Sequence, residues 1–548
     1  MAYLRKNLLA LRERLPASQG PSRDPGGQGE SVRYLALEVI DGCRQVGWDI
    51  KELLQDLDPG SQLLGRHLQS NLGDIREGLG DAADLRVREF TLPTENHLRA
   101  GLVYLDGMID PALVSEQVLS PLLHQELGCL EALELQNVVS LPDVTPIRTF
   151  PGVYESVLAG KAVLLLENRP TGLALEVKGY DARKIEEPKI ESVVRGPREA
   201  FVESLPTNLT LIRRRIPDRR LRLETIRVGE VAPTLVAIAY LEGMAPRRLV
   251  EEVRSRLSRL EVDAVLDIGY LEELVDDNPL SPFPSTRFSE RPDAVASQLL
   301  AGDVAILVDG TPDVITVPST LNSLMQSAED YYERYPIVSL VRVFRWVSLF
   351  ITLLVPSFYV AVTTFHSELI PTSLLLRMAA GREGIPFPAF VEALIMESAF
   401  EILREAGIRM PRPLGPAITI VGVLVIGDAA VRAGVVSPIM IIVVGITAIA
   451  AFAIPNYNLA NALRLWRFPM LMLAGAFGLF GLTWGFLMIL SHLLSMESFG
   501  VPYLIPFSPT RRWAWRDTLY RMPWWLLGTS GPRPPGDPGK DRCGEGKT

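Results

Sequence analysis

The hydrophobic pattern of the chain changes near residue 345. Before that point, apolar residues come in short runs between charged stretches. Ala162-Val163-Leu164-Leu165-Leu166 and Val304-Ala305-Ile306-Leu307-Val308 contain no polar position, and each reads as a buried strand. Between Arg247 and Leu260 the apolar residues Leu249, Val253 and Leu257 recur at helical spacing and form one stripe. The same region repeats itself. Tyr104-Leu105-Asp106-Gly107-Met108 recurs as Tyr240-Leu241-Glu242-Gly243-Met244, each time after a predicted strand and before a helix-like stretch. Leu158-Ala159-Gly160, a strand and Pro170 recur as Leu300-Ala301-Gly302, a strand and Pro312. The order is the same in both halves, which predicts two similar α/β subdomains, 32–200 and 201–335, with the repeats at about 84–182 and 222–325.

Beyond residue 337 the pattern predicts a helical membrane domain over 337–495. A spanning helix needs about 20 apolar residues. Trp346–Phe365 satisfies this with a tolerated kink at Pro356, and Phe468–Leu490 satisfies it without a charge. Ala417–Val431 and Pro438–Ile454 are shorter and pair naturally as a hairpin around Arg432. Phe390–Ala406 is amphipathic, with Val391, Ile395, Ala399, Ile402 and Leu403 on one face and Glu397, Glu401, Arg404 and Glu405 opposite. Two readings follow: a helix lying at the membrane surface, or an acidic face lining a cation pathway in an oligomer. Arg342 and Arg345, ahead of the first span, place residues 1–335 in the cytoplasm, as does the lack of an apolar run of signal-peptide length at the start. Arg511, Arg512, Arg516 and Arg521 favour the same side for the tail and hence four spans, whereas Arg464 and Arg467 favour five.

Composition adds limits. With 548 residues the chain has room for three or four domains, and its formal net charge of -9 argues against a nucleic-acid binder built on a basic face. Cys43, Cys129 and Cys543 lie too far apart in sequence for a disulfide framework or a zinc knuckle, and five scattered histidines argue against a metal cluster. Residues 1–31 and the tail after 530 are rich in Gly, Pro and polar residues and predict disorder at both ends of the chain, the whole tail running 496–548. Gly546-Lys547-Thr548 imitates a phosphate loop but lacks its earlier glycine and preceding strand.

No GxSxG, HExxH or strand-linked GxGxxG pattern is present, so neither an enzyme nor a cofactor is expected. Asp428, within an apolar run, is either an ion contact or a residue at the membrane surface. Gly475, Gly478, Gly481 and Gly485 follow three- and four-residue steps and predict close packing on another helix. Arg213-Arg214-Arg215 reads as a solvated or subunit-contact face.

Several motifs have a familiar order. Glu187-Pro188, then Val194-Arg195-Gly196-Pro197-Arg198-Glu199-Ala200-Phe201-Val202-Glu203, then Thr207-Asn208 and Arg213-Arg214-Arg215, resemble the A-subunit family of GerA-type spore germination receptors. Ser281-Pro282-Phe283-Pro284, Glu290-Arg291-Pro292-Asp293, Asp309-Gly310-Thr311-Pro312 and Glu329-Asp330-Tyr331-Tyr332 extend the match. Gly384-Ile385-Pro386-Phe387-Pro388, Leu403–Arg409, Ile420-Val421-Gly422 and Phe499-Gly500-Val501-Pro502-Tyr503 carry it through the apolar half. The resemblance covers about residues 75–510. It implies a multi-pass protein of the spore inner membrane that assembles with a transporter-like B subunit and a lipoprotein C subunit. It also implies a response to nutrients, a homo-oligomer and release of monovalent cations. A paralogous branch made during sporulation, the SpoVAF type, shares the pattern. A membrane-tethered module that holds a small ligand in the α/β region is the remaining alternative.

Overall fold

The computed structural model describes residues 63–93, 97–124, 138–179, 188, 191, 193, 195–409, 427–510 and 514–527. The expected loose ends, 1–31 and beyond 530, lie outside these residues, as does most of the predicted span Ala417–Val431. The described chain divides into two units: residues up to Gly78 with Arg86–Gly179, and Leu79–Leu85 with everything from residue 188 onward.

In the first unit, helix α1 (Leu68–Leu79) leads to strands β1 (Leu85–Thr91) and β2 (Arg99–Leu105). Helix α2 follows in three pieces (Pro111–Leu113, Val114–Leu119, Ser120–His124), the middle one a π-turn. Strand β3 (Val144–Ile147), helix α3 (Phe150–Leu158) and strands β4 (Ala162–Leu166) and β5 (Gly172–Leu175) complete it. The sheet order is β1-β2-β4-β5-β3, with β2–β4, β4–β5 and β5–β3 antiparallel. One face packs Leu102, Leu164 and Leu173 against Val114, Val118 and Leu122 of α2. On the other face Gly101 meets Leu68 and Leu72 of α1. Cover on both sides explains why every residue of β4 is apolar and buried.

The second unit begins with the same plan. Helix α4 (Leu205–Arg215) precedes β6 (Leu221–Val228) and β7 (Thr234–Leu241). Helices α5 (Arg247–Ser258) and α6 (Ile268–Val275), strand β8 (Arg287–Ser289), helix α7 (Pro292–Ala301) and strands β9 (Val304–Val308) and β10 (Val314–Val317) follow. The order is β6-β7-β9-β10-β8, every pair antiparallel. The predicted stripe of α5 is buried at Leu249, Val253 and Leu257, each contributing on the order of 1.5–3 kcal/mol of burial.

The two sheets share one strand order, and the repeated motifs occupy matching places in it. Tyr104 and Tyr240 fall near the ends of β2 and β7, followed by Gly107 at φ 77° and Gly243 at φ 79°. Gly160 (φ 84°) and Gly302 (φ 98°) end α3 and α7 ahead of the fully buried β4 and β9. The boundary moves, however, from the expected residue 200 to Gly179. The stretch before α4 belongs to the second unit because the Ser289 hydroxyl donates to Glu191 at 2.5 Å and Arg291 donates to the Pro197 carbonyl at 3.2 Å. The Asn208 amide also accepts from Val202 N–H at 2.8 Å and donates to its carbonyl at 2.6 Å.

A helical region follows: α8 (Tyr335–Phe365), α9 (Thr372–Arg382), α10 (Ala389–Arg409), α11 (Pro438–Phe452) and α12 (Tyr457–Ser495). By length and composition, α8 and α12 are able to cross a bilayer. Helix α8 keeps Pro356 inside a continuous helix, as expected. Helix α12 does not contain the straight span predicted over Phe468–Leu490. At Gly478 the backbone takes φ 60° and ψ -141°, outside the helical region, and the chain folds back. Gly485 consequently lies against Met470 and Leu473; a straight helix would hold Met470 about 22 Å away. Phe283 stacks on Trp466 at 6.5 Å and meets the ring of His492 at 6.1 Å, one from each arm. After α12, strands β11 (Glu497–Ser498) and β12 (Val501–Pro502) form a small hairpin.

Candidate functional site

Helix α10 carries the acids singled out by the sequence, but burial does not follow the predicted division into an acidic and an apolar face. Glu397 is fully buried and forms an ion pair with Arg467 of α12, whose Nε also donates to the Thr352 carbonyl of α8 at 3.1 Å. Glu392, five residues earlier on the helix, is likewise fully buried, pairs with Arg382 at 3.0 Å and accepts from Ser437 N–H at 2.9 Å. Ile402, on the predicted apolar face, is 70% exposed, and Ile395 is also exposed. A charged group buried in an apolar interior is stable only when paired. In the single chain Glu397 faces neither water nor headgroups. Its carboxylate faces a cation between three helices.

Glu401 is half-buried and pairs with Arg404 at 3.0 Å. Asp428 sits on the surface, paired with Arg432 one turn on at 2.7 Å. The four glycines divide. A side chain at Gly475 would overlap Phe390 of α10, and one at Gly478 would press on Phe365 and His366 at the end of α8. Gly481 and Gly485 instead admit the other arm of α12 itself, at Leu473 and Met470. Gly475 thus lies against another helix, while Gly481 and Gly485 close the fold-back that Gly478 makes possible.

A second charged cluster ties the start of α8 to the tail. Arg342, almost fully buried, donates to Asp330 at 2.9 Å and to Asp517 at 2.7 Å. Arg345 donates to Asp330 at 2.8 Å, and Tyr331 O–H donates to Asp517 at 2.6 Å. Arg521 donates to the carbonyls of Asp330 (3.0 Å) and Glu333 (2.9 Å). No sequence signal marked Asp517 or Arg521 as a partner of α8, because the pairing joins residues far apart in the chain.

The motifs that gave the resemblance meet in the second unit. Arg291 donates to Asp293 at 2.7 Å and to the Pro197 carbonyl at 3.2 Å, and Tyr332 hydroxyl donates to Asp293. Gly196, at φ 133°, lets the backbone lie on the Tyr332 ring. Asp309 accepts from Leu205 N–H at 3.0 Å, and Gly310 N–H donates to the Glu203 carbonyl at 2.8 Å. Arg213 is not on a solvated face: it is buried and grips Asp84 with two bonds of 2.9 Å. Arg215 reaches Glu199 at 2.6 Å.

Beside this node lies a cavity of about 280 Å³ lined by Glu191, Arg287, Arg291, Arg345, Glu329 and Asn456. Its guanidinium groups are directed at the protein, Arg287 to the Ser323 and Gln326 carbonyls at 3.0 and 3.3 Å. Burial pushes the Glu191 carboxyl above its ordinary range. On the neighbouring turn, burial and then the surrounding acids Glu290, Asp267, Glu191 and Glu272 raise Asp313 to about 6. Among the described residues no three His, Cys, Asp or Glu side chains gather closely enough to hold a metal ion.

Two α/β sheets of the same strand order precede a helical region stitched internally by buried ion pairs. The Bacillus/Clostridium GerA spore germination protein family matches residues 73–531, and the chain belongs to that family. Spore germination protein KA of Bacillus subtilis (strain 168) is 40% identical over 84% of this chain and 86% of its own length. Spore germination protein GerLA of Bacillus cereus is 38% identical over 82% and 92%. An uncharacterized membrane protein of Bacillus subtilis (strain 168), YfkQ, is 42% identical over 87% and 93%. Among solved structures, the N-terminal domain of the A subunit of the Bacillus megaterium spore germinant receptor GerK3 is 31% identical. It covers 48% of this chain and 98% of that one, with a TM-score of 0.39.

Proposed function

We propose that this chain is the membrane-embedded A-type subunit of a nutrient-responsive spore germinant receptor, with no enzymatic activity of its own. The observation that carries the reading is the family match, which runs through both α/β units and the helical region without a break. In this reading α8, α10, α11 and the two arms of α12 cross the inner membrane of the spore as a multi-pass domain. The apolar run Ala417–Val431, read from sequence alone, is counted in this reading as one further crossing. The buried contacts between α8 and the tail (Arg342 with Asp517, Arg521 with Asp330) support an even number of crossings, with both flanking regions on the core-facing side. The chain assembles with the transporter-like B subunit and the lipoprotein C subunit, forms a homo-oligomer, and passes monovalent cations when nutrient binds the complex.

Because Glu397 is neutralised by Arg467, the ion path forms between subunits or after this pair separates. The test is reconstitution of the full chain into planar bilayers alongside its mass in detergent. A ring-sized oligomer with cation currents is expected; a monomer that never conducts, alone or with its partner subunits, would refute the conducting role.

A further inference from the structure

We propose that residues 514–527 form an interfacial anchor, with Trp524, Trp525 and Leu526 lying among the headgroups of an anionic bilayer. The proposal rests on the membrane reading above and goes beyond it. Helix α8 has 31 residues and is about 46 Å long, whereas the hydrocarbon core is about 30 Å thick. Centred in the bilayer, α8 leaves about 8 Å beyond the hydrocarbon at each end, which puts its first turns from Tyr335 at headgroup depth. Those turns are two-sided. Arg342 and Arg345 point inward to Asp330 and Asp517, while Ile337, Leu340 and Phe344 are 57%, 57% and 59% exposed.

The tail docks onto that level and continues the apolar face. Arg521 is held by the Asp330 and Glu333 carbonyls, and the Ser339 hydroxyl donates to the Arg521 carbonyl at 3.1 Å. The Tyr335 ring meets Trp525 edge-on at 5.9 Å, and Tyr331 meets Trp524 at 5.9 Å. Outward, Trp525 remains 75% exposed, Trp524 54% and Leu526 53%. Paired tryptophans with one apolar and one polar edge are the residues favoured at a membrane–water boundary. The adjoining sequence carries Arg511, Arg512 and Arg516 with Asp517 as the one acid between Thr510 and Leu527. Asp517 is itself committed to Arg342. The surplus charge is positive and complements anionic lipid.

The experiment uses the full chain in vesicles, with its three native cysteines changed to serine and a fluorophore placed through Trp525→Cys or, separately, Phe350→Cys. Phe350 is exposed on the outward side of α8. Lipids bearing a nitroxide near the headgroup are expected to reduce the signal at position 525 by roughly half or more, and deep nitroxides much less. Anionic vesicles should give stronger quenching than neutral ones. Position 350 should be quenched by deep nitroxides. Quenching at 350 with none at 525 overturns the anchor and leaves the membrane reading intact; quenching at neither overturns both. Equal quenching in neutral and anionic vesicles removes the charged component and contradicts the proposal as stated. Shielding at 525 that persists in detergent and follows protein concentration assigns this face to a second copy instead.

Discussion

At the scale of single residues, burial decides what a charge does. Glu397 looked like a water-facing acid because it shares a helical face with Glu401 and Glu405; periodicity gives the face but not the direction in which it points. In the fold its partner Arg467 comes from another helix, so removing one member strands the other in an apolar interior. Glu397→Ala should lower stability by about 3–5 kcal/mol. Replacing both residues with methionine should restore most of that loss, as read by thermal unfolding in lipid–detergent micelles. An unchanged midpoint for Glu397→Ala would mean the pair does not form. Asp313 gives a second prediction. Its pKa is raised to about 6, above the ordinary carboxylate range, by burial and by neighbouring acids. The folded state therefore binds its proton more tightly than the unfolded chain does, and this residue's contribution grows as pH falls through about 6 toward 4. Asp313→Asn should raise the unfolding midpoint at pH 7 and flatten that acid-side gain. An identical pH profile for wild type and variant would contradict it.

At the scale of elements, the strands and the repeat were legible because a strand covered on both faces must be apolar throughout, as β4 and β9 are. The glycines that follow β2 and β7 were legible too, since each takes a positive φ that favours glycine. The break in α12 was not. Gly478 sits in an unbroken apolar run, and glycine in such a run equally marks helix packing. The backbone at Gly478 and the contacts of Gly481 with Leu473 and of Gly485 with Met470 reveal the fold-back. Met470→Cys with Gly485→Cys should cross-link on mild oxidation, since a side chain at 485 would touch residue 470; a straight helix gives no cross-link. Gly478→Ala should cost roughly 1–3 kcal/mol in backbone strain alone, with further loss from contact with Phe365 and His366. A tolerated Gly478→Ala would place the bend elsewhere. The clamp at the start of α8 was also illegible, because Asp330, Arg342 and Asp517 combine a linker, a helix and a tail. Asp330→Ala leaves both Arg342 and Arg345 without that carboxylate, and limited proteolysis should then cut the 514–527 segment faster than in wild type.

At the scale of the whole molecule, the family resemblance was legible because its motifs are the points at which the second unit holds itself together. Arg291 with Asp293 and Pro197, Asn208 with Val202, and Asp309 with Leu205 each join separate segments. The number of crossings and the inward turn of the acidic face of α10 depend on long-range pairing, which local pattern does not encode. The central proposal is that this member of the family is a membrane-embedded receptor subunit. The most direct measurement is nutrient-triggered germination of spores in a strain whose only receptor of this family contains this chain. Loss of the chain should abolish the response to at least one nutrient, and the full chain should restore it, while residues 1–335 alone should not. Normal germination without the chain, or rescue by residues 1–335 alone, would contradict the assignment of the chain as a membrane-embedded receptor subunit.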